Sequence, residues 1–226
     1  MSELIKKCEE QARKMHEGVT YGGNLSMMDQ VSRTASLIDR YSNLEGEDRE
    51  VAVAAAWLHK CFEAKRINGG KAMTQAEVQS LAGPKVAAVV MELTGEPEDK
   101  SKSKKDQWAE KASWAQKLSP AAREILLAEK VINFETTRSR MNRTYEEMLQ
   151  GAAATKDDDP KSKPEWHKEY LETRLQMVEA IKDTNSRLAC TANRAYYEAQ
   201  TAVHNIVELR AHDMYRFMRQ NQAQNG

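Results

Sequence analysis

Apolar residues along this chain recur three and four positions apart, the spacing of one face of an α-helix, and alternating strand-like runs are missing. The pattern predicts a first helix over 2–15, with Leu4, Cys8, Ala12 and Met15 on one side. A loop over 18–26 with a turn at Gly22-Gly23 leads to a second helix over 28–41, carrying Val31, Ala35 and Ile38. A third begins near Glu47 and stacks Val51, Ala55, Leu58 and Phe62. Thr74 and Glu77 have the spacing of a capping box, and they open a short helix that Gly83-Pro84 interrupts before it resumes over 85–94. The run EPEDKSKSKKD at 96–106 reads as a charged loop, followed by helices over 107–117 and, after the start signal Ser119-Pro120, over 121–134. GAAATKDDDPKSKP at 151–164 reads as a mobile loop, and a helix over 166–182 follows it. The last element spans 185–219, and its Leu188, Ala192, Ala195, Ala199, Ala202, Ile206 and Leu209 form a coiled-coil-like seam of small residues. The expected fold is all-α: a helical bundle over 1–184 with a long C-terminal helical extension over 185–226.

Composition narrows the function classes. With 40% hydrophobic and 30% charged residues in 226, the chain buries a real core. Lys+Arg and Asp+Glu are both 34, which argues against broad nucleic-acid or acidic-membrane binding. Cys8, Cys61 and Cys190 lack metal-type spacing and read as free thiols of a reducing cytoplasm. The polar start MSELIKKCEEQARK and the lack of any apolar run near ~20 residues point to a soluble, cytoplasmic protein without a membrane span.

Polar residues sit where the apolar stripe should continue. In AWLHKCFEA at 56–64, His59 and Glu63 are four apart and would share a helix face; Glu129 and Asn133, also four apart, continue the stripe begun by Leu126. Buried ionisable groups are unfavourable unless paired, hydrogen-bonded or metal-bound, so two such helices face to face would gather all four residues into one polar pocket. The plainer reading has His59 donating to a backbone carbonyl and Glu129 at a helix margin.

The order of these motifs resembles the HD-domain hydrolases of the RelA/SpoT type, particularly their small stand-alone members. Ala12-Arg13-Lys14-Met15-His16-Glu17-Gly18 is similar to the family's A-R-x-x-H-x-G, and Ala54-Ala55-Ala56-Trp57-Leu58-His59 to its A-A-L-L-H-D. Val90-Met91-Glu92-Leu93-Thr94 closes a similar segment, LLAEKVINF at 126–134 resembles V-K-L-A-D-K-L-Y-N-L, and WHKEYLETRLQMVEAIKDTN at 166–185 resembles the closing helix. The resemblance implies an HD-type helical fold, Mn²⁺ as cofactor, and removal of the 3′-pyrophosphate of guanosine tetraphosphate and pentaphosphate.

Carried over residue by residue, the resemblance also shows departures. The first His ligand falls on Met27 or Met28, the second is kept as His59, and the Asp of the His-Asp pair is Lys60. The Glu-Asp pair that acts on the attacking water becomes Glu63 and Ala64; the last Asp ligand becomes Glu129; the substrate-contacting Asn is kept as Asn133. The basic cluster after the first helix is replaced by Val19-Thr20-Tyr21-Gly22-Gly23. Thioether sulfur suits Mn²⁺ poorly and an ammonium repels it. The expectation is therefore no bound cofactor, with Lys60 in the metal's place paired to Glu129, Glu63 or both.

Three functions follow from this. One is a catalytically impaired HD domain acting as a binding or interaction module. Another is an active Mn²⁺-dependent phosphohydrolase with ligands among His16, Asp29, Glu63 and His167. The third is a guanine-nucleotide sensor without turnover. His204, Arg210, His212, Tyr215 and Arg216 on the last helix mark a surface for a protein partner or a second copy. Weaker features are Asp157-Asp158-Asp159, which reads as a solvated run, and Arg138, Arg140 and Arg143 beside Tyr145, which read as a basic helix face. Trp108, Trp114 and Trp166 read as core or interface, and Cys61 faces away from His59.

Overall fold

The computed structural model describes residues 2–21, 25–62, 72–94, 101–150 and 164–224, with the side chains of 21, 25, 104 and 213–224 left aside. The Gly22-Gly23 turn, residues 96–100 of the charged loop, and the loop over 151–163 lie outside the described residues.

Nine α-helices carry the described chain, so the all-α expectation holds. Helix α1 is Glu3–His16, capped by the Ser2 hydroxyl, which accepts the Ile5 N–H. Its buried face runs Ile5, Cys8, Ala12, His16, with Leu4 and Met15 at the margins. The segment 18–26, expected as a loop, holds a small antiparallel ladder: β1 Thr20–Tyr21 pairs with β2 Leu25–Ser26, Thr20 opposite Ser26. Helix α2, Met27–Tyr41, follows with Ser26 as its cap, burying Val31, Ala35 and Ile38.

Helix α3, Gly46–Leu58, buries eight consecutive residues, Val51 through Leu58. Four of these eight are alanines, whose small side chains let α1, α2 and a fifth helix close in around the α3 backbone. The helix stops at Leu58, although the apolar letters Cys61 and Phe62 prolong its pattern in the sequence. His59 through Phe62 form turns instead, with the Cys61 N–H donating to the Leu58 carbonyl at 2.8 Å. The expectation that His59 and Glu63 share a helix face is therefore corrected: His59 is the C-cap, and Glu63 lies outside the described residues.

Helices α4, Gln75–Ala82, and α5, Pro84–Leu93, meet at Gly83. Both halves of the capping box are present, Thr74 to Glu77 and back. Gly83 ends α4 at φ +85°, a conformation that favours glycine, and Pro84 then starts α5. Helix α6 is Lys104–Lys117; it begins earlier than the periodicity predicts because Ser103 accepts the Asp106 N–H. Helix α7, Pro120–Leu149, runs 30 residues, well past Phe134. Helix α8 is Pro164–Ile181, a 3₁₀ turn covers Lys182–Thr184, and α9, Ser186–Gln224, is the longest element at 39 residues. The seam of α9 is buried from Leu188 to Ile206.

The chain divides into two compact units. The first comprises Met1–Ile132 with Gln176–Ala192, the second Asn133–Leu175 with Asn193–Gly226. Among the described residues, no helix is long and apolar enough to cross a membrane.

Candidate functional site

Helices α3 and α7 supply the chemistry of the first unit. On α7, Ile125 through Ala128 and Val131 with Ile132 are buried, so charged side chains between them must find neutralising partners. Glu129 and Lys130 occupy that interval. Glu129 Oε1 lies 3.0 Å from the Lys60 ammonium, and Oε2 lies 3.2 Å from that of Lys130. Side-chain exposures of 13% for Lys60, 12% for Glu129 and 7% for Lys130 place the cluster away from bulk water. One carboxylate thus joins the turn after α3 to the middle of α7.

The electrostatics follow from that placement. Burial pulls the Glu129 carboxyl upward. The charges of Lys130 and Lys60, the nearby His59 and the hydrogen bond from Lys60 outweigh it and hold the group well below the ordinary carboxylate range. His59 Nδ1 lies 2.6 Å from the Ala56 carbonyl. A carbonyl only accepts, so Nδ1 carries the proton and the bond satisfies an end-of-helix oxygen. This is the plainer role considered for His59; Glu129, by contrast, is no marginal residue.

His16, the last residue of α1, adds a second imidazole. It is 1% exposed, and neither ring nitrogen has a hydrogen-bond partner among the described residues. Burial, and then the charge of Lys60, push its pKa below the ordinary value, keeping the ring neutral at pH 7.

The other residues singled out from the sequence are scattered. Asn133 is buried on α7 and falls in the second unit, where its carbonyl accepts from Thr137. Met27 is buried as the first residue of α2. Asp29 is exposed, pairing with Arg33 at 3.6 Å. His167 is buried in the second unit with its ring edge-on to Trp166. Arg138 pairs with Glu198, and Trp166 stacks on Tyr170 with centroids 5.0 Å apart. Within the second unit, α8 and α9 enclose a cleft of about 520 Å³ floored by Leu171, Tyr196 and Val203, lined by none of the polar-stripe residues.

Two contributors escaped the sequence reading. Lys130 has no role in the sequence reading, yet it is buried against Glu129. Glu124, 1% exposed, accepts hydrogen bonds from the Ser42 hydroxyl, from the Asn43 N–H at 2.9 Å and from the Asn185 amide at 2.9 Å. Asn185 also donates to the Tyr41 carbonyl at 2.7 Å, and its Oδ1 caps α9 through the Leu188 N–H. The available signal was charge inside an apolar stripe; the partners of Glu124, about 60 to 80 residues away, give none.

The Mn²⁺ implied by the family resemblance does not fit these residues. Among the described residues, no three His, Cys, Asp or Glu side chains come together as a metal would need. The carboxylate next to His59 already has an ammonium on each oxygen. A dication about 4 Å from Lys60 would meet repulsion on the order of several kcal/mol at an effective dielectric of about 20.

No protein-family model and no curated sequence matches the chain. Among solved structures, it is similar to a metazoan ortholog of SpoT, described as hydrolysing ppGpp and playing a role in starvation responses. The TM-score is 0.60 at 18% identity, over 88% of this chain and 96% of that one. A likeness at this identity establishes the fold: the chain has the helical architecture of that hydrolase.

Proposed function

We propose that this chain is a catalytically impaired HD-type domain that works as a binding or interaction module. The observation that carries the reading is the 3.0 Å contact between Lys60 and Glu129. Hydrolysis in the HD manner needs a metal-bound water made acidic by the ion's charge. Here the carboxylate best placed to hold an ion is bonded to two protein cations, and His59 turns one nitrogen to its own backbone. Such a module acts through what it binds, and α9, with His204 exposed on its surface, is the element we assign to a protein partner or second copy.

A second reading, a metal-dependent phosphohydrolase of the (p)ppGpp type, draws support from the fold likeness. One experiment separates them. Purified protein is titrated with guanosine tetraphosphate, with and without Mn²⁺, following heat and pyrophosphate release. Neither heat nor release is the expected result. Release of pyrophosphate in Mn²⁺ overturns the proposal, and binding without release makes the chain a nucleotide sensor.

A further inference from the structure

We propose that the α8–α9 cleft of the second unit is the surface on which two copies of this chain join, related by a two-fold axis that sets Glu165 against Lys168 of the partner subunit. The inference rests on the interaction-module reading and deepens it by naming the partner that the cleft fits.

Three observations carry it. The first is a second apolar stripe on α9. The seam with Ala195, Ala199, Ala202 and Ile206 is buried. One position further round, Tyr196, Gln200, Val203 and Val207 repeat at spacings of four, three and four, so they share the adjacent face. A helix covered on one side needs one such stripe. A second, apolar but for Gln200, calls for a second cover. Tyr196 and Val203 are each 5% exposed and Val207 is 40% exposed, so the stripe opens to solvent where α8 begins. The Tyr196 ring is set edge-on to Phe134 with centroids 5.6 Å apart, which fixes the floor before anything occupies the cleft.

The second observation is local charge. Glu165 and Lys168 line the α8 side of the cleft, both exposed and three residues apart. That spacing lets opposite charges pair along a helix, yet among the described residues neither takes part in an ion pair. In a two-fold contact the same patch faces itself, so residue i meets residue j of the other copy and j meets i. An acid and a base on one edge therefore match that edge of a second copy run antiparallel, and two pairs form between the chains. The third observation is overall charge. The chain has a formal net charge of zero at pH 7, so two copies approach without long-range repulsion. A uniformly acidic or basic partner would instead meet one repelling charge on this edge, Glu165 or Lys168.

The test is the mass of the full chain in solution, followed by sedimentation equilibrium. Wild-type protein should pass from the mass of one chain to that of two across about 2–200 μM. Glu165→Lys and Lys168→Glu should each weaken the dimer roughly tenfold, because one substitution places two like-charge contacts in a two-fold interface. The double exchange Glu165→Lys with Lys168→Glu rebuilds both pairs and should return to within about threefold of wild type. Val207→Glu, at a position already open to water, should keep the wild-type melting temperature and hold the chain as a monomer. Wild-type protein that stays a single chain throughout overturns the proposal and leaves α9 to a partner of another kind. A dimer that the single exchanges or Val207→Glu leave intact, or that the double exchange fails to restore, also overturns it. None of these outcomes involves nucleotide, so a chain that hydrolyses guanosine tetraphosphate refutes the function proposed above by a separate measurement.

Discussion

Two carboxylates largely withdrawn from water stand on α7 five residues apart, and the protein satisfies them in opposite ways. Glu124 accepts hydrogen bonds from neutral donors: a hydroxyl, a backbone N–H and a side-chain amide. Glu129 is held between two ammonium groups. Each joins α7 to a segment far away in sequence, Glu124 to the α2–α3 connection and the start of α9, Glu129 to the turn after α3. Neutral donors fixed by backbone geometry make an anchor that tolerates changes in charge. An ion cluster depends on charge, and the loss of Glu129 removes the carboxylate that both ammonium groups share.

The comparison breaks most visibly at Glu129. Glu129→Gln keeps shape and volume but removes the negative charge, leaving Lys60 and Lys130 without their carboxylate. The expected loss is about 3–5 kcal/mol, measured by urea unfolding at pH 7. Equal stability of variant and wild type would mean that the ammonium groups find other partners at no cost, and the cluster would then be ornamental.

Glu124→Gln applies the same isosteric change to the neutral anchor. One acceptor oxygen becomes a donor and faces other donors, so about 1–3 kcal/mol is expected to go. The ranking matters more than either figure. Should Glu124→Gln cost more than Glu129→Gln, the distinction between a neutral anchor and a charge-dependent cluster fails.

These two sites also show where the sequence is readable. Spacing of three and four located α1, α2, α5, α8 and α9, because in those helices the buried face is apolar and continuous. The capping box at Thr74 and the break at Gly83-Pro84 were legible because their chemistry is local. Boundaries went astray where the apolar pattern and the backbone disagree. Cys61 and Phe62 prolong the stripe of α3, yet the chain turns after Leu58. Beyond Phe134 the apolar letters thin to Met141, and α7 nonetheless continues to Leu149. The pairing of Lys60 with Glu129 could be anticipated because a buried carboxylate needs a cation and a lysine stood where the family resemblance has an acid. Lys130 and Glu124 could not, since no local rule says which charged letter of a helix will be buried until the distant segment covering it is known.

A third buried ionisable group, His16, extends the comparison to its smallest expected effect. Among the described residues it is held neither by neutral donors nor by opposite charge; burial and the nearby Lys60 charge lower its pKa and keep it neutral. In the unfolded chain it titrates near its ordinary value of 6.5. Above that pH both states carry a neutral ring, and His16 adds no pH dependence. Below it the unfolded chain takes up a proton that the folded protein resists, so stability falls as pH drops from 6.5 toward the lowered folded value. The slope is at most about 1.4 kcal/mol per pH unit for one proton. Glu129, whose carboxyl is also depressed in the fold, acts in a separate window, because its contribution is intact above its ordinary 4.5 and is lost only below it. Unfolding measured between pH 7.5 and 5.5 should therefore show a decline in wild type that is shallower in His16→Gln, by up to that slope. Parallel curves for the two proteins would place the His16 proton in the folded state as readily as in the unfolded one, and the burial of its ring would then carry no electrostatic consequence.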